Sequence, residues 1–427
     1  YVSDFLSFVY EGLARLNEKQ QAEPMLSDSW SVSADGLIWN FHIRDGVKWH
    51  DGQTFTASDV EFTIQTLMNP AIDSGYKPLL TNIATCAAAD SSNIRLVLKK
   101  PNSFTPEMMT FPILQKEQFR QKDFLTASGS LKPVGTGPYK FISYDAGKRI
   151  VLKSNTDWWY LNVEDNAAKD GMYIETINVN IYSKPDDVLE AFQTGDIDVV
   201  GVDSGDLTKY AGRTDLTIKK YTSRDFEFLS LNLSNPALSD EYARKAISLA
   251  INREELIAGV LPGGAEAAEV PVLPENWINL EGNESSLAVS ADRSKPEDVL
   301  KEGGWSKGTD GYYKRIKGIR RYLKVELLVN SNNSIRAGAA QKICSQLERA
   351  GIKAECVQIS WDEMLNRINT SKYDIAFLGC RVPQIPDLSY LYSDSYLSAA
   401  TFSGYDYARN ISEYRNTQVD TDIKALF

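Results

Sequence analysis

The chain has 427 residues, 43% of them apolar and 24% charged, with a formal net charge of −11. That length points to two or three lobes and that composition to a globular protein able to bury a large core. The acidic balance argues against nucleic acid and anionic surfaces as partners, and no apolar run is long enough to span a bilayer.

In Leu37–Arg44 the apolar Trp39, Phe41 and Ile43 alternate with Asn40, His42 and Arg44, which predicts a strand with one buried face. Asp45-Gly46 and Asp51-Gly52 are turn dipeptides. Thr56-Ala57-Ser58-Asp59 reads as a capping box for a helix bearing Val60, Ile64 and Leu67, stopped at Asn69-Pro70. Ile94, Leu96 and Leu98 predict another strand. Further on, Ile177, Val179 and Ile181 make a strand, Pro185 opens a helix, Gly195 closes it, and Ile197, Val199 and Val200 resume a strand as a βαβ unit. Ser239 is expected to cap one helix over 239–259 with Ala243, Ala246, Ile247 and Ala250 as its apolar stripe. Residues 274–297 read as a polar surface excursion.

A βαβαβ run spans 323–379. Leu323, Val325 and Leu327 start it, and a helix carries Ile335, Ala339, Ile343 and Leu347 on one face. Ile352, Ala354 and Cys356 alternate as a strand, Ser360 caps a helix bearing Leu365 and Ile368, and Tyr373–Leu378 closes the run. Ligands of open α/β sheets sit at the carboxyl ends of strands, so residues just after Val329 and Leu378 should line a cleft.

No catalytic constellation stands out. Gly135-Thr136-Gly137 lacks the third glycine of a dinucleotide loop, because Lys140 holds that place. Cys86, Cys344, Cys356 and Cys380 form no CxxC pair and read as reduced, buried thiols, with two disulfides in an oxidising compartment as the alternative. With only His42 and His50 besides, both read as surface residues, no metal site and no cofactor is expected. The strongest constellation is Phe377-Leu378-Gly379-Cys380-Arg381, followed by Pro383 and Asp387. Its exposed backbone could take an extended peptide as an added strand. Arg381 offers planar bidentate donors to a carboxylate or phosphate, or else an ion-pair brace. Trp361, the second residue of the helix capped by Ser360, could be a core residue.

Several blocks carry a resemblance. Leu26–Val60, Tyr10-Glu11-Gly12-Leu13, Gly135–Tyr139 with Trp158-Trp159, and Leu231-Asn232 with Ala243–Ile247 and Ile251-Asn252-Arg253 follow one another along nearly the whole chain. Together they resemble the family-5 extracytoplasmic solute-binding proteins, which deliver peptides, nickel chelates and related solutes to ABC importers. The resemblance implies an α/β, periplasmic-binding-protein-like fold of the class C type, with two α/β lobes around a ligand cleft plus an inserted β-rich lobe. Residues 1–10 and 133–253 would form the first lobe, 11–132 the inserted lobe and 254–427 the second. Members run longer at both ends, so the first lobe is expected to be incomplete. Contacts to an oligopeptide-like solute are expected from Tyr10, Phe228, Asn232, Trp361, Gly379, Cys380, Arg381 and Asp387. Where relatives anchor the α-amino group on an aspartate, Pro383 stands here with Arg381 beside it, which would shift recognition toward an acidic group. The implied protein is a monomer outside the cytoplasmic membrane, lipid-anchored in its precursor, with permease subunits as partners. A receptor for a non-peptide anionic or chelated solute is the alternative, and a secreted glycan hydrolase the rival from another class.

Overall fold

The computed structural model describes residues 2–119, 132–163, 174–202, 210, 212–277, 294–383, 385, 387–394 and 410–426. Most of the expected surface excursion, at 278–293, lies outside them. Contacts divide the chain into two units, Tyr1–Gly201 and Val202–Leu426.

In the first unit helix α1 (Val2–Val9) is followed by strands β1 (Ser27–Val32) and β2 (Ile38–Ile43), helix α2 (Ala57–Met68), and strands β3 (Ile83–Ala88) and β4 (Asn93–Leu98). The strands make an antiparallel sheet ordered β1-β2-β4-β3. Trp39, Phe41, Ile43, Ile94, Leu96 and Leu98 are all buried, as their alternation predicts, and α2 packs on β3 and β4. Each fully buried side chain of this size contributes about 1.5–3 kcal/mol. Helix α2 begins at the expected capping box, where the Asp59 carboxylate accepts from the Thr56 amide at 3.0 Å.

A second antiparallel sheet joins β5 (Tyr139–Asp145), β6 (Arg149–Ser154) and β7 (Thr176–Asn180). Helix α3 (Pro185–Thr194) ends at Gly195, whose φ of 81° is the left-handed conformation expected of a closing glycine. The strand expected at Ile197–Val200 does not form, and Val199 is 86% exposed. β-Branched residues become strand only where a sheet edge offers backbone partners, and among the described residues none pairs with this segment.

The second unit opens with β8 (Asp225–Leu231). The single helix expected over 239–259 is two, α4 (Glu241–Ala250) and α5 (Arg253–Val260). Asp240, rather than Ser239, caps the first by accepting from the Ala243 amide at 3.2 Å. Asn252 caps the second through the Glu255 amide at 2.9 Å. The asparagine side chain competes for backbone donors and restarts the ladder after the extended Ile251. Then come hairpin strands β9 (Gly311–Ile316) and β10 (Ile319–Tyr322), strand β11 (Lys324–Asn330), helix α6 (Ser334–Arg349), strand β12 (Lys353–Ile359), helix α7 (Trp361–Asn369) and strand β13 (Ile375–Arg381).

The sheet order is β8-β13-β11-β12, with β11 parallel to both β12 and β13 and β8 antiparallel to β13. Val325, Leu327 and Val329 of β11 pack with Ile343 and Leu347 of α6, whereas Leu328 packs with Met364 and Ile368 of α7. Helices thus cover both faces, which explains the nearly unbroken apolar run of β11. The pairing of β8 with β13, from Asp225↔Arg381 to Leu231↔Ile375, ties β8 into this sheet. The contact boundary accordingly falls after Gly201, whereas chain-order reading assigns 202–253 to the first lobe. Non-local pairing of an edge strand leaves no local sequence signal.

Candidate functional site

From β11 the chain passes over one face of the sheet to β12 and returns over the other to β13, so strand order reverses beside β11. Crevices at such reversals, outside the carboxyl ends of the strands, are where α/β sheets bind ligands. Antiparallel β8 brings its first residues to the same end. The Glu227 carboxylate there accepts from Arg336 Nε at 2.6 Å and from Arg336 Nη2 at 2.8 Å, a bidentate pair. Arg336 Nη1 reaches Asn330 Oδ1 at 3.5 Å, and Asn333 caps α6 by accepting from the Arg336 amide at 2.9 Å. The pair lies directly over Gly379, which is in register with Glu227. A β-carbon at 379 would stand 2.2 Å from Arg336 Nη2 and 2.4 Å from Glu227 Oε1, so only glycine lets the two side chains cross β13. Arg336 is 17% exposed and Glu227 47% exposed, which leaves solvent access to both charges. A half-enclosed carboxylate beside a guanidinium can receive an ammonium on one side and a carboxylate on the other.

Of the residues singled out from sequence, Gly379, Cys380 and Arg381 end β13 at this crevice. Cys380 Sγ sits 3.8 Å from the Tyr390 hydroxyl, and burial pushes its thiol pKa up. Arg381 faces outward, 3.6 Å from Asp225, with both side chains 66% exposed. Phe228 and Trp361 both border the cluster of Leu328, Met364 and Leu378 on the α7 face, and Phe226 stacks on Phe228 at 5.8 Å. Asp387 accepts from the Ser389 amide at 2.8 Å and so holds the start of the short helix Ser389–Tyr392. Asn232 is not brought to the crevice. It lies past the far end of β8, where its amide donates to the Ser371 and Tyr373 carbonyls at 3.1 and 2.8 Å and its oxygen accepts from the Ser234 amide at 3.0 Å. Glu227 and Arg336 escaped the sequence reading because each looks like an ordinary surface charge. The available signal was the position of Arg336 in the first turn of the helix that follows Val329.

Tyr10 belongs to the first unit, beside the Val9, Tyr139 and Leu152 cluster, and burial raises its pKa to about 12. Its neighbour Glu11 is 6% exposed and accepts from the indoles of Trp158 at 2.9 Å and Trp159 at 2.8 Å. Burial there pushes the carboxyl up to about 7 against the pull of the two indoles and Thr136. His50, expected at the surface, is instead wedged beside this knot. Its Nδ1 accepts from the Gly135 amide at 3.2 Å, which leaves Nε2–H to donate to the Gly137 carbonyl at 2.9 Å, and burial lowers its pKa. A β-carbon on Gly135 would lie 1.7 Å from the Val9 carbonyl oxygen. The motifs Tyr10–Gly12, Gly135–Gly137 and Trp158-Trp159 therefore meet as one packing knot rather than as a reactive centre. Among the described residues no three His, Cys, Asp or Glu side chains group to hold a metal ion.

The family model for bacterial extracellular solute-binding proteins, family 5 Middle, matches residues 21–401. The chain is 23% identical over 434 residues to the oligopeptide-binding protein AppA of Bacillus subtilis, covering 99% of this chain and 76% of that one. It is 24% identical over 381 residues to di/tripeptide-binding protein 1 of Pseudomonas aeruginosa, covering 83% and 67%. Among solved structures, NikZ from Campylobacter jejuni in complex with Ni(L-His) is 26% identical with a TM-score of 0.66, over 98% of this chain and 80% of that one. The α/β, periplasmic-binding-protein-like fold expected from the sequence is thereby established, and the chain belongs to family 5 of the bacterial extracellular solute-binding proteins.

Proposed function

We propose that the protein captures an oligopeptide-like solute and delivers it to the permease subunits of an ABC importer, as a monomer and without catalysing a reaction. The observation that carries this reading is the Glu227–Arg336 pair over Gly379 at the carboxyl ends of β11 and β13. It presents an acceptor for an α-amino group and donors for a carboxylate, next to the strand-end backbone of Gly379–Arg381. The relatives described as oligopeptide- and di/tripeptide-binding proteins support the same solute class. Phe228, Trp361, Cys380, Arg381 and Asp387 remain the further contacts of this reading. The division into two α/β lobes with 11–132 as an attached β-rich lobe, and lipid anchoring of the precursor, belong to it as well.

The likeness to NikZ with Ni(L-His) favours a second reading, in which an anionic chelate occupies Arg336. Mass spectrometry of the solute released from protein purified without refolding separates the two. A peptide supports the first reading, and a metal-bound small acid the second. Protein that carries no solute and gives no heat with either a peptide mixture or a metal chelate of a small acid would refute both.

A further inference from the structure

The β9–β10 hairpin is charged against the trend of the chain. Residues 311–324 carry Lys314, Arg315, Lys317, Arg320, Arg321 and Lys324 and no carboxylate, within a chain of net charge −11. Lys314 alone is neutralised, by Asp240 at 2.5 Å. Among the described residues no carboxylate pairs with the others, and all five are exposed. The register makes this costly for folding. Arg315 lies directly opposite Arg320 and Lys314 opposite Arg321, and like charges facing each other across a ladder destabilise it.

The hairpin is nevertheless well built. Lys317 and Gly318 take φ of 50° and 79°, the two left-handed residues of a tight hairpin turn. Tyr313 and Tyr322 pair across the strands at 6.0 Å, and the Arg320 guanidinium lies over the Tyr313 ring at 4.4 Å. Ile319, next to the turn, is 55% exposed, and Tyr322 is 41% exposed. One face thus shows two tyrosines interleaved with arginines, and the tip adds a lysine and a bare isoleucine. Unopposed cations around amphipathic rings and one exposed aliphatic side chain match the chemistry of an anionic lipid surface. The headgroups neutralise the charge, and the rings and the isoleucine enter the interfacial layer.

We propose that this hairpin is a docking surface for the anionic phospholipid headgroups of a bilayer. Net charge argues against such contact for the molecule as a whole, but exposed charges farther away than about 10 Å are largely screened at 0.1 M salt, so the local patch decides the encounter. Its cost to the fold, like charges held opposite each other, is relieved when the surface is bound.

Flotation of the full chain with vesicles of phosphatidylcholine, alone or mixed with phosphatidylglycerol, tests this. Retention is expected only on the phosphatidylglycerol vesicles, and 1 M salt should abolish it, because the screening length then falls to about 3 Å. Each lost cation should weaken partition about fivefold, so the double variant Arg315→Gln, Arg320→Gln should bind more than tenfold less. The same variant removes a repulsive pair along with the Arg320–Tyr313 ring contact and the Arg315–Gly318 hydrogen bond, so its melting temperature should stay nearly level, which separates loss of docking from loss of fold. Lys99→Gln with Lys100→Gln, exposed cations of the first unit, should change nothing. Equal retention by the parent and the hairpin variant, or no retention at low salt, would overturn the proposal. Capture on polyglutamate beads without vesicle binding would also overturn it, and would point to an acidic protein face.

Discussion

The buried Glu11 makes the stability of the first unit depend on pH in a direction opposite to most carboxylates. Its pKa stands near 7 in the fold against an ordinary value of 4.5. Because the folded pKa is raised, the stabilisation is complete below pH 4.5 and is lost as pH rises through 7, where a charge must be held out of water. A gap of this size is worth about 3 kcal/mol. Glu11→Gln removes the titration. It also sets an amide NH2 against one of the two indole N–H groups now satisfied by the carboxylate, at a cost of about 1–3 kcal/mol at every pH. Melting followed by circular dichroism from pH 8 to pH 4.5 therefore isolates the effect as a difference between parent and variant. The melting temperature of the parent should gain on that of the variant by roughly 6–12 °C as pH falls across the window, for a unit of about 200 residues. A difference that stays constant between pH 8 and 4.5 would refute the argument, since it would mean that Glu11 does not change protonation there.

Gly379→Ala should push the Arg336–Glu227 pair off β13 and weaken solute binding measured by calorimetry, with about 1–3 kcal/mol of lost stability in denaturant titrations. Arg336→Ala should weaken binding tenfold for each 1.4 kcal/mol lost, whereas Arg381→Ala, whose pair with Asp225 is largely exposed, should change stability by less than about 1 kcal/mol. Equal binding losses in the two variants would move the anchoring cation back to Arg381. Asn232→Ala strands the Ser371 and Tyr373 carbonyls and should cost about 2–4 kcal/mol of stability, while the folded fraction binds solute like the parent. A binding defect without a stability defect would return Asn232 to the site.

The sequence by itself determined the elements whose stabilising partners are local or periodic. Alternation in Leu37–Arg44 determined a strand with Trp39, Phe41 and Ile43 inside, and the Thr56/Asp59 and Ser360/Glu363 caps determined two helix starts. The βαβαβ order of 323–379, and hence the crevice beyond Val329 and Leu378, was legible because three apolar runs alternate with two helical stripes. Where a helix restarts was less legible, because Ser239, Asp240 and Asn252 are all competent caps and packing selects among them. Only the tertiary structure decided that β8 joins β13, that Glu227 thereby faces Arg336 across 109 positions of chain, and that Asn232 is spent on backbone carbonyls. It likewise made His50, read as a surface residue, a half-buried bridge between Gly135 and Gly137. Ion pairs and edge pairings of this kind depend on which strands become neighbours. That choice is made by the packing of whole apolar faces, and no window of local sequence contains it.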